Sequence, residues 1–227
     1  SEQKDLIDFF KKSNNKVIVI DNKKKKNVIY GNLKNAAETL NKVKKKKITH
    51  IITDQSDISL NAYGLISERL KLNAIPYSVI KKFSDKLICR KSLFEEEKLR
   101  KHLPKFFEIN DSFKKLFRID KKKEYIIKPT NSQGSREVFK LKGQKGQKKI
   151  KKILNKPNFT NYIVEEYISG QDMSVEGFVE KKNFYLLGIS KKKKFKKSFV
   201  DKELIYTHVE KKLSKRLEKI CSLITET

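Results

Sequence analysis

Two stretches of the chain put anion-binding and amine-binding groups at the ends of predicted strands. The first, Tyr125–Ser135, reads YIIKPTNSQGS. Three β-formers, Tyr125, Ile126 and Ile127, run into Lys128 and Pro129, and a small polar loop containing Gly134 follows. A buried strand thus delivers a cation, and the amides of the flexible turn beyond it can face an anion. Lys128 sits on a strand otherwise made for burial, so its ammonium needs an anionic partner or a path for its stem to the surface. The second stretch, Tyr162–Glu176, reads YIVEEYISGQDMSVE, an apolar strand ending in Glu165 and Glu166. Tyr167 and Ile168, a Ser-Gly turn and Asp172 come next. Asp172, Ser174 and Glu176 alternate and therefore share one strand face. A lysine with a glycine loop suits phosphates, while a carboxylate beside a strand end suits an amino-purine and a ribose. The pair reads as a nucleotide cleft. A plain hairpin between Ile127 and Val138, with acids that only balance nearby lysines, is the alternative.

With these residues in hand, the chain resembles the ATP-grasp ligases. The resemblance rests on IIKP followed by SQGS at 132–135, and on VEEYISGQDMSVE at 164–176. It extends through DKLICR at 85–90 and GISKK at 188–192, and so runs from about Ile48 onward. The implied relatives are carbamoyl-phosphate synthetase, biotin carboxylase and D-alanine–D-alanine ligase, which use MgATP to activate a carboxylate as an acylphosphate for attack by an amine. Carried over, the resemblance assigns Lys128 to the α- and β-phosphates and Lys86 to the phosphates as well. Ser132, Gln133, Gly134 and Ser135 become the loop that closes over them, with Arg136 as a second cation beside Lys128. Glu165 is expected to accept from the adenine amino group, and the main chain of Glu166, Tyr167 and Ile168 to meet the purine edge. Asp172 stands where the family commonly has glutamate, one methylene longer, and is expected at the ribose. The expected cofactors are ATP and Mg²⁺, and the expected partners small carboxylate and amine substrates. The family's metal ligands lie on a later strand reading roughly E-x-N-x-R, which is expected beyond Thr227. The family's first strand and glycine turn are likewise expected ahead of Ser1, so the sequence reads as a fragment, inactive by itself.

The elements that must hold these groups follow in order. Apolar periodicity predicts a helix over Gln3–Lys12, a strand Lys16–Ile20 ending at Asp21, a helix from roughly Lys34 to Lys46, and a strand Thr49–Thr53. A third helix, Ile58–Lys71, carries Ala62, Leu65, Ile66 and Leu70 on one face. This βαβα rhythm implies a parallel sheet with right-handed crossovers. Pro76 punctuates the next connection, and Ser84-Asp85 can cap a helix to about Lys101 on which Lys86 and Arg90 share a face. A solvated lysine near a helix start is the plainer reading of Lys86. Strand Lys105–Ile109, helix Ser112–Phe117 and helix Gln144–Leu154 follow. Phe178 and Tyr185–Ile189 read as an antiparallel pair over the core, and the lysines at 191–194 and 196–197 as a mobile basic loop. A last helix begins near His208. The expected class is α/β: a Rossmann-like parallel α/β domain over 1–80, then an incomplete ATP-grasp α+β domain over 81–227. Within the latter, a linking helical region covers 81–120, a nucleotide lobe 121–190 and a truncated lobe 191–227.

Composition bounds the rest. The sequence of 227 residues is 37% hydrophobic and 36% charged, enough for a sizeable core in one large or two small domains. No apolar run nears the roughly 18 residues that a membrane span needs, and no signal peptide is visible, so a cytoplasmic protein is expected. The formal charge is +28, from 55 Lys+Arg against 27 Asp+Glu. The excess is mostly lysine spread in runs such as Lys23–Lys26, Lys44–Lys47 and Lys191–Lys194, without an interleaved aromatic platform, so no specific nucleic-acid partner is expected. Cys89 and Cys221 form no CxxC motif and read as reduced, buried thiols. His50, His102 and His208 are scattered and show no metal spacing. Oligomeric state stays open, a homodimer included. A non-catalytic nucleotide-binding module and a lysine-rich polyanion binder are the alternative functions.

Overall fold

The structure, a computed structural model, describes residues 4–53, 57–109, 120, 122–132, 134–155, 162–196 and 198–227, with 143, 144, 147 and 154 by backbone only. The chain divides into two compact units, Ser1–Ser84 and Asp85–Thr227.

In the first unit, helix α1 (Lys4–Lys12) leads to the two-residue strands β1 (Ile20–Asp21) and β2 (Ile29–Tyr30), which pair in parallel. Helix α2 (Ala36–Val43) starts at Asn35, whose side chain accepts from the Glu38 amide. Helix α3 (Asp57–Arg69) and a helix not foreseen, α4 (Tyr77–Ser84), complete the unit. Val43, Ala62 and Ile66 are buried, with Ile20, Ile29, Ile48 and Ile51 packed against them. The expected strands are shorter than their apolar runs. Residues 16–19 and 49–53 carry no strand pairing, so the expected parallel sheet reduces to β1 and β2. Alternation records which face is covered, but a ladder also needs a partner edge for its N–H and C=O groups.

The second unit opens with α5 (Lys86–Glu95), capped as expected by Asp85, which accepts from the Leu87 and Ile88 amides. The helix expected to run to Lys101 breaks at Glu96, where φ −78° and ψ 109° are extended, and resumes as α6 (Glu97–Arg100). A four-stranded antiparallel sheet follows, in the order β3 (Phe106–Ile109), β6 (Tyr162–Glu166), β4 (Glu124–Pro129), β5 (Phe139–Lys142). Helix α7 (Gly143–Leu154) packs Ile150 and Ile153 onto one face of it, against Tyr125, Ile127, Tyr162 and Val164. The expected helix Ser112–Phe117 lies outside the described residues.

A second antiparallel sheet joins β7 (Met173–Glu180), β8 (Asn183–Lys194) and β9 (Asp201–Tyr206), with α8 (Lys211–Glu226) against β8. This corrects the mobile basic loop: Lys191–Lys194 are the end of β8. The strand β9, unforeseen, supplies the acids that hold them, Asp201 to Lys192 at 3.0 Å and Glu203 to Lys193 at 3.3 Å. Strand β8 therefore runs past 190, where the expected lobe boundary fell. Phe178 and Tyr185 pair across β7 and β8 and stack at 4.8 Å, yet both are exposed rather than covering a core. Both thiols are half-buried rather than buried, and burial pushes each above its ordinary value. The described residues hold no helix long and apolar enough to cross a membrane.

Candidate functional site

The two faces of the four-stranded sheet divide its labour. Tyr125 and Ile127 on β4, and Tyr162 and Val164 on β6, point into the core beneath α7. Strand alternation sends Ile126 and Lys128, Ile163 and Glu165, to the other face. The register sets Ile126 opposite Glu165, so Lys128 is Glu165's diagonal neighbour, within reach of a long side chain. Its ammonium pairs with Glu165 Oε2. Arg90, from α5, donates through Nε to Glu165 Oε1 at 2.5 Å.

The Glu165 side chain is only 7% exposed. Burial alone pushes its carboxyl up, but the Arg90 and Lys128 charges beside it outweigh this and hold it below its ordinary range. A buried carboxylate is thus held ionised by two cations, and the cluster keeps one positive charge in excess.

Next to this cluster the β4–β5 connection forms a tight loop. Gly134, Ser135 and Glu137 have φ values of 64°, 56° and 54°, in the left-handed region. Only glycine adopts it without cost, which accounts for Gly134. Lys86 donates its ammonium to the Ser132 carbonyl at 2.7 Å, and its amide donates to the Thr130 carbonyl at 2.9 Å. Helix α5 is thereby tied to the end of β4. Tyr162 donates its hydroxyl to Glu137 at 2.6 Å, fastening the far side of the loop to β6. Burial and this bond push the phenol well above its ordinary value. Ser135 Oγ donates to the Phe199 carbonyl at 3.0 Å, so the β8–β9 turn rests on the same loop.

At the other end of β6 the ladder stops. The Glu166 amide donates to Lys105 and the Tyr167 amide to Glu124, each at 2.9 Å, and Ile168 beyond them is 67% exposed. Glu166 holds Lys123 at 2.6 Å, which raises that lysine above its ordinary value. Lys140 lies over the Tyr167 ring at 3.6 Å from its centroid. Asp172 pairs with Lys194 at the end of β8.

Many of these residues line one cleft of about 510 Å³. Lys86, Lys128, Ser132, Gly134, Ser135 and Arg136 line it together with Glu165, Glu166, Tyr167, Ile168 and Asp172. Gln133 lies outside the described residues. Sequence reasoning left out Arg90, Lys194 and Phe199, which also line the cleft. Arg90 had a signal, its one-turn spacing from Lys86, whereas Phe199 had none, because only the unforeseen β8–β9 turn brings it there. The geometry modifies one expected role. Both Glu165 oxygens engage cations, so this carboxylate positions charge as well as offering an acceptor.

Cations and a polar loop, with carboxylates and a strand-end backbone in the same cleft, can hold a polyphosphate joined to a hydrogen-bonding ring. Among the described residues no three His, Cys, Asp or Glu come together as a metal site.

Comparison with curated protein sequences gives no match. Solved structures match at the level of fold. An L-amino acid ligase from Bacillus licheniformis aligns with TM-score 0.64 at 17% identity, over 84% of this chain and 45% of that one. A phosphoribosylglycinamide synthetase from Anaerococcus prevotii gives 0.66 at 15%, over 99% and 58%. An N5-carboxyaminoimidazole synthetase from Staphylococcus aureus, complexed with ADP, gives 0.62 at 16%, over 97% and 59%. The chain thus spans about half the length of the structures it resembles. The model of the ATP-grasp domain matches residues 121–227, the segment that carries β4 to α8 and most of the cleft.

Proposed function

We propose that the chain supplies the ATP-binding part of a cytoplasmic ATP-dependent carboxylate–amine ligase. The observation that carries the reading is the buried Glu165 clasped by Arg90 and Lys128, set beside a left-handed glycine loop in one cleft. A cluster with one surplus positive charge beside a polar loop suits a polyphosphate. Lys128 and Arg136 offset phosphate charge, while Lys86 holds the loop through Ser132. The main chain of Glu166–Ile168 meets the purine edge where the ladder ends. Asp172 takes the ribose hydroxyls and shares its carboxylate with Lys194.

In the reaction, a substrate carboxylate oxygen bonds to the γ-phosphorus as the bond to the β-phosphate oxygen breaks, giving an acylphosphate and ADP. An amine then bonds to the acyl carbon, phosphate leaves with the electrons of the C–O bond, and the amine loses a proton. The cations' part is to offset charge on the transferred phosphoryl group. Mg²⁺ accompanies ATP in the ATP-grasp family, whose domain model matches this segment. Glu165 and Asp172 are engaged by cations and no cluster of metal ligands is at hand among the described residues. These residues do not themselves build a Mg²⁺ site.

The test is calorimetric titration with ATP, GTP and inorganic tripolyphosphate at physiological salt. Saturable 1:1 binding with ATP preferred is expected. Equal binding of all three would replace this reading with a purely electrostatic one.

A further inference from the structure

We propose that Arg90 is a positioning residue of the phosphate site: through Glu165 it sets where the Lys128 ammonium stands. The ligand in this inference rests on the nucleotide reading above, but the geometry does not.

Glu165 offers two oxygens, and the structure assigns one to each cation, Oε1 to Arg90 and Oε2 to Lys128. Without Arg90, a single buried carboxylate would face a single ammonium, and the two would close into a neutral pair. Such a pair is poorly disposed to an anion, because drawing Lys128 toward a phosphate would strip Glu165 of its only counter-charge. With Arg90 present, Glu165 stays compensated when Lys128 turns toward a ligand. The surplus charge of the cluster then belongs to Lys128.

Arg90 is well placed to hold this position. Its helix is capped by Asp85 and tied at its first residue to Thr130, two residues beyond Lys128. A guanidinium keeps its charge when half-buried, where an ammonium loses it more readily. Arg90 is therefore a fixed counter-charge on the same frame as the lysine that it serves.

The test compares the intact chain with Arg90→Met, Arg90→Lys and Glu165→Gln by two measurements. The first is affinity for ATP, ADP, AMP and adenosine by titration. Arg90→Met should weaken ATP about tenfold, as expected for one charge-assisted contact, weaken AMP less, and leave adenosine unchanged. Arg90→Lys should recover most of the loss. The second needs no ligand: trace acetylation with acetic anhydride, read residue by residue by mass spectrometry. Lys128 should react severalfold more slowly in Arg90→Met, because Glu165 then holds it alone, and faster in Glu165→Gln, with Lys193 unchanged in both. A structural role would produce the opposite sign, a loosened site in which Lys128 reacts faster, and equal losses for all four ligands. Either result, or an unchanged Lys128 rate, overturns the proposal. If the intact chain binds no nucleotide while the acetylation pattern holds, the nucleotide reading fails and Arg90's control of Lys128 stands.

Discussion

Replacing Lys128 by alanine tests the phosphate assignment most directly. In the structure its side chain is 20% exposed and pairs with a carboxylate that is 7% exposed. Removing it has two consequences. The contact between the ammonium and a bound phosphate goes, and a hydrogen bond to a charged group contributes about 1.5–3 kcal/mol. The surplus charge of the cluster goes too, since Glu165 is then balanced by Arg90 alone. The expected loss of ATP affinity is therefore about tenfold at the least and about a hundredfold at the upper end, at 1.4 kcal/mol for each factor of ten. The fold should survive, because Glu165 keeps Arg90 and no buried charge is left without a partner. The comparison is Lys193→Ala: that side chain is 62% exposed and its ion pair with Glu203 spans 3.3 Å at the surface. An exposed pair is worth about 0–1 kcal/mol, so no more than a few-fold change is expected there. Both variants are titrated with ATP by calorimetry at physiological salt, with thermal unfolding alongside. Small and equal losses from the two lysines, with unfolding unchanged, would refute the phosphate assignment of Lys128.

Three further outcomes follow from the same geometry. If the Glu166–Ile168 backbone reads a purine edge, ATP should outcompete GTP and CTP for a fluorescent ATP analogue by about tenfold or more, because a polar group left unpaired under the bound base costs about 1–3 kcal/mol. Glu165 is held below its ordinary value of 4.5, so below that pH the unfolded chain binds a proton that the folded chain refuses. Its stabilisation is present from neutral pH down to about 4.5 and is lost on further acidification; Glu165→Gln should flatten that limb of the unfolding temperature against pH. Gly134→Ala meets no atom within 4 Å but sits at φ +64°, so it should cost about 1–2 kcal/mol from backbone strain alone, read as a lower unfolding midpoint without loss of the sheet's circular dichroism.

Much of the cleft was legible in the sequence, because strand alternation is a strict rule. Once Tyr125 and Ile127 are assigned to a core, Lys128 must emerge on the opposite face, and the same holds for Glu165 beside Val164. That the two side chains meet was not legible. Their pairing depends on the β4–β6 register, set by residues 33 or more positions apart in the chain, which no local pattern encodes. Arg90 illustrates the same limit, since its spacing from Lys86 showed a shared helix face but not which sheet the face would meet. The break at Glu96 and helix α4 were hidden by continuous apolar periodicity, which a chain satisfies equally well by one long helix or two short ones. In the first unit the apolar runs of 16–20 and 49–53 were read as strands, yet they fixed only which side chains are covered.

The lysine run at the end of β8 shows why composition is a poor guide to function here. Four consecutive lysines suggest a solvated loop, because like charges repel and their stems gain little from burial. In the structure the run alternates across a paired strand, and three of its members find acids: Lys192 with Asp201, Lys193 with Glu203, and Lys194 with Asp172. The repulsion along the strand is offset by attraction across it. The three pairs are locally neutral, and their acids are already counted in the net charge of +28, so this part of the run adds little to the field seen by a distant polyanion. The ammonium of Lys194 differs from its neighbours, because its partner Asp172 lines the cleft and its own stem does so too. A strand that looks like surplus basic surface thus delivers one charge to the site. What distinguishes that charge from the rest of the lysine excess is not its type but the pairing that fixes its position.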